Sequence, residues 1–186
     1  MDAAPSPEVL SKALRKVLAA IEGSGFKAVA IGGIAHQAWG SKKAADKVEL
    51  LLSTGEDKRE TILGAARGEG LQQAPGGGPL NLRYNDAKLG GSGAVDLVEG
   101  TTPYLKQVIA RAQPSAVLQV QIRVATCEDL ILLRAGSPDP ADRALVIELL
   151  RGAAGRIDAP YLKKEAEAAG VFDKLKSAWQ EAKAQG

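Results

Sequence analysis

A chain of 186 residues, 45% hydrophobic and 25% charged, has the mix of one folded domain, or of a domain with a small helical extension, and excludes wholesale disorder. Only 4% of the residues are aromatic, so the core must be aliphatic. A net charge of +2 is too small to argue for nucleic acid, and no apolar run approaches the ~18–20 residues of a membrane span.

Ser6-Pro7-Glu8 has the form of a helix start: an N-cap hydroxyl, a proline at the first helical position, then an acid at the positive helix end. Apolar residues from Val9 to Ile21 repeat at helical spacing, and Gly23 and Gly25 offer a stop. FKAVAI (26–31) reads as a buried strand. Gly32-Gly33 follows, and IAHQAW continues as a short helix to Gly40. KVELLLS (47–53) is the next predicted strand, Asp57–Arg67 a helix, and Gly68–Pro79 a glycine-rich connection. LNLRY (80–84) and AVDLV (94–98) are expected as two strands joined by a turn. Thr102-Pro103 opens a helix to about Ala112, which Pro114 breaks. AVLQVQIRVAT (116–126) alternates as one half-buried strand would. Thr126 and Asp129 form a capping box before CEDLILLRA. The remainder reads as helical, with starts at Ser137-Pro138 and Asp158-Ala159-Pro160 and a last helix over VFDKLKSAW.

Two residue counts restrict the chemistry. One cysteine, Cys127, makes no internal disulfide, and one histidine, His36, excludes any site needing two imidazoles within the chain. The start MDAAPSPEVL lacks a basic and apolar leader, so no secretory signal is expected, and the chain reads as cytoplasmic.

Three features converge on a cleft. A strand ends in Gly32-Gly33 at a helix start, where glycines let a phosphate approach backbone N–H groups. A second strand carries Lys47-Val48-Glu49, and a third carries Asp96 between apolar residues. Charges in buried strands are costly unless they meet partners, metal or a cleft. Lys47 and Glu49 share one strand face, whereas Asp46 points the other way. Cys127 and His36 read as packed helix residues, and the lysines and acids of the C-terminal segment as a solvated helix surface.

The run AIGGIAHQAWGSKKAADKVELLL resembles the signature of the nucleotidyltransferase superfamily with the polymerase-beta-like fold, and within it the bacterial abortive-infection (AbiEii-type) and minimal nucleotidyltransferase-like proteins. The matching places are Gly32-Gly33-Ile34-Ala35, Gly40, Lys43 and Ala45, Lys47-Val48-Glu49-Leu50, Val95-Asp96-Leu97-Val98 and Glu128-Asp129-Leu130. The resemblance implies an α+β fold: a mixed sheet flanked by helices over 1–126, with a C-terminal helical region over 127–186 packed on it. It also implies nucleotide contact at Gly32, Gly33 and Lys43, and catalytic, metal-holding carboxylates at Glu49 and Asp96. In active members an Asp-x-Asp pair and a third acid hold two divalent ions. Here Lys47 stands in the first Asp place, Glu49 in the second, and Lys43 and Ala45 replace an arginine-threonine pair. In the tail Asp142 alone represents an acidic helix, with Leu145 where a second acid is usual.

The expectation is a catalytically degenerate nucleotidyltransferase-fold protein that works through a protein partner or residual nucleotide binding, without a cofactor, DNA or membrane. The alternative is an active Mg²⁺-dependent enzyme moving NMP from an NTP to RNA, protein or a small molecule.

Overall fold

The computed structural model describes residues 5–54, 58–78 and 80–184, in eight helices and seven strands. They form two compact units. One holds the described residues up to Ala35 together with Lys43–Ala125; the other holds His36–Lys42 and the described residues from Thr126 onward.

All seven strands belong to the first unit: β1 (Ala28–Ile31), β2 (Lys47–Leu52), β3 (Leu71–Gln73), β4 (Asn81–Asp86), β5 (Gly91–Glu99), β6 (Gln113–Val117) and β7 (Val120–Val124). They make one mixed sheet in the order β3-β4-β5-β2-β1-β7-β6. The centre is parallel between β2 and β5 and between β1 and β7, and antiparallel between β1 and β2. The α+β mixed sheet flanked by helices that the sequence leads one to expect is present.

Helix α1 (Pro7–Gly23) starts as Ser6 and Pro7 require, with the Ser6 hydroxyl accepting from the Val9 N–H at 3.3 Å. Its apolar stripe lies on β5, where glycine is needed for close approach: a Cβ on Gly93 would meet Ala13 at 3.3 Å and Val9 at 3.4 Å. On β5 the buried residues Gly93, Val95 and Leu97 alternate with Asp96, which is only half-buried. Asp96 therefore faces away from α1, on the side that carries the candidate site.

The first unit also contains α3 (Arg59–Gly68) and α4 (Pro103–Arg111), and α2 (Gly32–Ala38) begins directly at the end of β1. Four helices fill the second: α5 (Cys127–Ala135), α6 (Pro140–Gly152), α7 (Ala159–Ala168) and α8 (Phe172–Ala184). Among the described residues no helix is long and apolar enough to cross a membrane.

Three expected elements need correction, and two others reach outside the described residues, at Asp57 and Pro79. The glycine-rich connection contains β3, a three-residue edge strand with only Leu71 buried, too short to leave a pattern. The stretch expected as one strand over 116–126 belongs to a hairpin, with Val117 and Val120 paired across Leu118 and Gln119. Both turn residues have positive φ, 50° and 60°, without glycine or asparagine to announce it. Helix α1 holds the strained turn in place: Ser11 Oγ donates to the Leu118 carbonyl at 2.7 Å and Arg15 to that of Gln119 at 2.8 Å. The helix expected from Ser137-Pro138 begins two residues later, because Asp139 is the better cap; it accepts from the Ala141 N–H at 2.8 Å, with Pro140 at the first helical position.

Candidate functional site

Strand register builds the site. The pairing β4–β5–β2–β1 sets Asn81 opposite Asp96, Asp96 opposite Glu49, and Glu49 opposite Ile31, the residue before Gly32. In-register neighbours share a sheet face, so Asn81, Asp96 and Glu49 form one polar row. Lys47 stands two residues before Glu49 on the same face, in register with the small Ala94.

The side chains close on one another. Lys47 Nζ donates to Asp96 Oδ2 at 2.7 Å and lies 3.5 Å from Glu49 Oε1. The other Asp96 oxygen accepts from Asn81 Nδ2 at 2.7 Å. Asn81 is itself held, because its Oδ1 accepts from the Gly78 N–H at 2.6 Å and a Cβ on Gly77 would lie 2.9 Å from it. Glu49 Oε2 accepts from the Gly33 N–H at 3.4 Å.

Gly32 shows how closely Glu49 is seated on the turn. Its φ is +62°, and a Cβ there would lie 1.7 Å from Glu49 Oε2. Gly33 is packed from the other side, with a Cβ position 3.2 Å from that of Ala45. The Gly-Gly turn thus receives a carboxylate of the chain itself.

The Lys47 ammonium is retained. Partial burial alone would lower its pKa, but the hydrogen bond to Asp96 and the charges of Glu49 and Asp96 outweigh burial and raise it above the ordinary lysine value. A lysine held as a cation is no nucleophile. Formally the three charges sum to a single negative charge, one ammonium against two carboxylates.

The donor set does not fit a divalent pair. Mg²⁺ demands near-octahedral oxygen ligation, and an ammonium already occupies the space between the two carboxylates. Among the described residues no group of three or more His, Cys, Asp or Glu is arranged to hold a metal ion.

The other residues singled out by sequence lie as follows. Asp46 and Lys43 are exposed on the turn before β2. His36 belongs to the second unit and is 1% exposed. Cys127, buried at the start of α5, has its thiol pushed up to about 12 by burial, with the Glu128 charge adding to the rise. The tail acids act as struts within the second unit. Glu128 accepts from the Asp158 N–H and Asp129 from the Tyr161 hydroxyl, each at 2.7 Å. Asp142 meets Arg134 at 2.5 Å. Burial would raise the Asp142 pKa, but hydrogen bonds from Ser137 and Arg134 hold it below the ordinary carboxylate value. Asn81 was missed by sequence reasoning. The signal that could have found it is a polar residue opening a strand three positions after a run of three glycines, Gly76 to Gly78.

The architecture is that of nucleotidyltransferase-like proteins. The chain superposes on the crystal structure of an antigenic nucleotidyltransferase-like protein from Paracoccidioides brasiliensis with a TM-score of 0.58, at 12% identity, covering 92% of each chain. It also superposes on the antibiotic-resistance factor ANT(2'')-Ia: on its solution structure with a TM-score of 0.53, 15% identity and 94% and 91% coverage, and on its complex with adenylyl-2''-tobramycin with 0.53, 14%, and 94% and 97%. At these identities the likeness is one of fold. No family model and no curated protein matches the sequence.

Proposed function

We propose that this chain keeps the nucleotidyltransferase fold without the chemistry and acts by binding a protein partner, with nucleotide binding at most residual. One observation carries the reading: the Lys47 ammonium stands 2.7 Å from Asp96 and 3.5 Å from Glu49, where nucleotidyl transfer needs carboxylates open to divalent ions. A triphosphate approaching without metal would meet a triad with a net negative charge, and the Gly33 N–H already serves Glu49. Kinship with abortive-infection-type nucleotidyltransferases, on the motif order, and residence in the cytoplasm complete this reading.

A second reading has an observation in its favour. Glu49 and Asp96 are adjacent in register on one sheet face. This is the arrangement that a working Mg²⁺-dependent transferase of the toxin–antitoxin or phage-defence kind would require. The ANT(2'')-Ia complex holds adenylyl-2''-tobramycin, an adenylylated small molecule of the kind such an enzyme would make. That reading has to expel Lys47 from between its ligands.

Calorimetric titration with each common NTP and Mg²⁺ separates the two. The binding reading expects no metal-dependent heat. A metal-dependent heat accompanied by pyrophosphate release would overturn it.

A further inference from the structure

We propose that α7 and α8 form a docking groove for an acidic amphipathic helix of a partner protein. The inference rests on the reading of this chain as a binding protein and names the chemistry of its partner. Helix α8 has two stripes. Leu175, Ala178 and Ala182 are buried among the helices of the second unit. Phe172, Lys176, Trp179 and Lys183 follow at spacings of four, three and four, on one adjoining face. Phe172 and Trp179 are only half-buried.

With Ala159 and Lys163 of α7, this second stripe lines a hollow of about 330 Å³. Its floor is apolar and its polar lining is Lys163, Lys176, Lys183 and Gln180, with no acid. Lys163 lies 5.9 Å from the Phe172 ring centre and 3.7 Å from Glu167. Lys176 and Lys183 have no ion-pair partner among the described residues. Trp179 also borders a second, larger hollow of about 970 Å³, lined by Ile147, Leu150 and Ile157 together with Glu148, Arg151 and Glu181. A half-buried tryptophan that lines both hollows has the setting of an interface anchor.

The charge and the length select the occupant. Two unopposed lysines, Lys176 and Lys183, along an apolar floor favour a segment with acidic flanks and bulky apolar residues at helical spacing. The stripe runs from residue 172 to residue 183. At about 1.5 Å per residue that is roughly three helical turns, the length over which a third helix can lie against α7 and α8.

The probe is a synthetic peptide of about 16 residues, with leucines at i, i+3, i+4 and i+7 and glutamates elsewhere. Its control carries lysine for every glutamate. Binding to the full chain is read by tryptophan emission in a Trp39→Phe background and by calorimetry. The expected result is micromolar binding of the acidic peptide that weakens steeply with salt, and no binding of the basic one. The Lys176→Glu/Lys183→Glu variant should lose at least about tenfold in affinity. Both lysines are exposed, so this variant tests the groove without disturbing the core. Trp179→Phe should bind more weakly while retaining the helical circular-dichroism spectrum.

Equal binding of both peptides, no binding of the acidic one, or a charge-reversed variant that binds as the parent does would overturn the proposal. So would concentration-dependent dimerisation that the Trp179 variant abolishes, because the occupant would then be a second copy. Failure of the binding-protein reading looks different: metal-dependent NTP heat and pyrophosphate release, whatever the peptide does.

Discussion

Lys47 and Asp96 lie on adjacent parallel strands and meet at 2.7 Å, although they are not register partners; Asp96 is paired with Glu49 and Lys47 with Ala94. The lysine reaches diagonally along the sheet face. A small residue at 94 leaves room for its stem, and the two acids supply its counter-charge. It takes the place that a cation bridging the two carboxylates would fill.

Replacing the internal cation with ligands should therefore create metal dependence. The Lys47→Asp/Glu49→Asp variant sets two short carboxylates on one strand face beside Asp96. Without metal it should lose about 1–2 kcal/mol, because three acids then face each other without a lysine. Added Mg²⁺ should restore part of that loss by binding only the folded state, raising Tm by a few degrees. The parent's Tm should ignore Mg²⁺. A variant whose melt is equally blind to Mg²⁺ would mean that these three positions do not make a metal site.

The turn that seats Glu49 makes its own prediction. Gly32→Ala adds a Cβ 1.7 Å from Glu49 Oε2 and forces alanine into a φ of +62°. The left-handed conformation costs about 1 kcal/mol and the displaced carboxylate adds to it, for a total loss of about 2–3 kcal/mol. Gly90→Ala is the control, because φ there is nearly the same, +65°, but nothing lies within 4 Å. Urea melts should place Gly32→Ala well below Gly90→Ala. Equal losses would show that only backbone strain matters at position 32.

Much of this arrangement was legible in the sequence, because period-two alternation fixes which residues share a face. Lys47 with Glu49, and Asp96 between buried Val95 and Leu97, follow from that rule alone. What escaped was set by tertiary contacts. Asn81 joins the row only through the β4–β5 register, and the Leu118-Gln119 turn survives without glycine because α1 holds its carbonyls. Strand β3 has one buried residue and no alternation to read. The seating of Glu49 on Gly33 depends on how β1 and β2 pair, which no local pattern encodes.

Cys127 should be inert in the folded protein. It is 1% exposed and its thiol is pushed up to about 12, so thiolate is scarce at neutral pH. A thiol-reactive chromogenic disulfide should label native protein only slowly, at a rate that rises with denaturant in step with unfolding. Rapid labelling at pH 8 without denaturant would contradict both the burial and the raised pKa.

Asp86 ties α1 to the β4–β5 turn and should govern acid stability. Its carboxylate accepts from Lys12 at 2.8 Å, from the Lys88 and Leu89 N–H groups at 2.9 Å each, and from the Tyr84 hydroxyl at 3.2 Å. The Lys12 hydrogen bond first, and the Leu89 N–H after it, lower its pKa from 3.8 to about 2. The folded state therefore releases this proton more readily than the unfolded chain does. Its contribution is complete above the unfolded value of 3.8 and disappears as pH falls toward 2. In Asp86→Asn the amide still fills the turn but carries no charge for Lys12. The variant should be less stable than the parent at pH 6, and the gap in urea midpoint should narrow steadily between pH 4 and pH 2. Lys12→Met should narrow the same gap from the other partner, because it removes the ammonium that lowers the pKa. A parent–variant gap that stays constant across that window would mean that Asp86 is held by geometry alone and that its charge contributes nothing to folding.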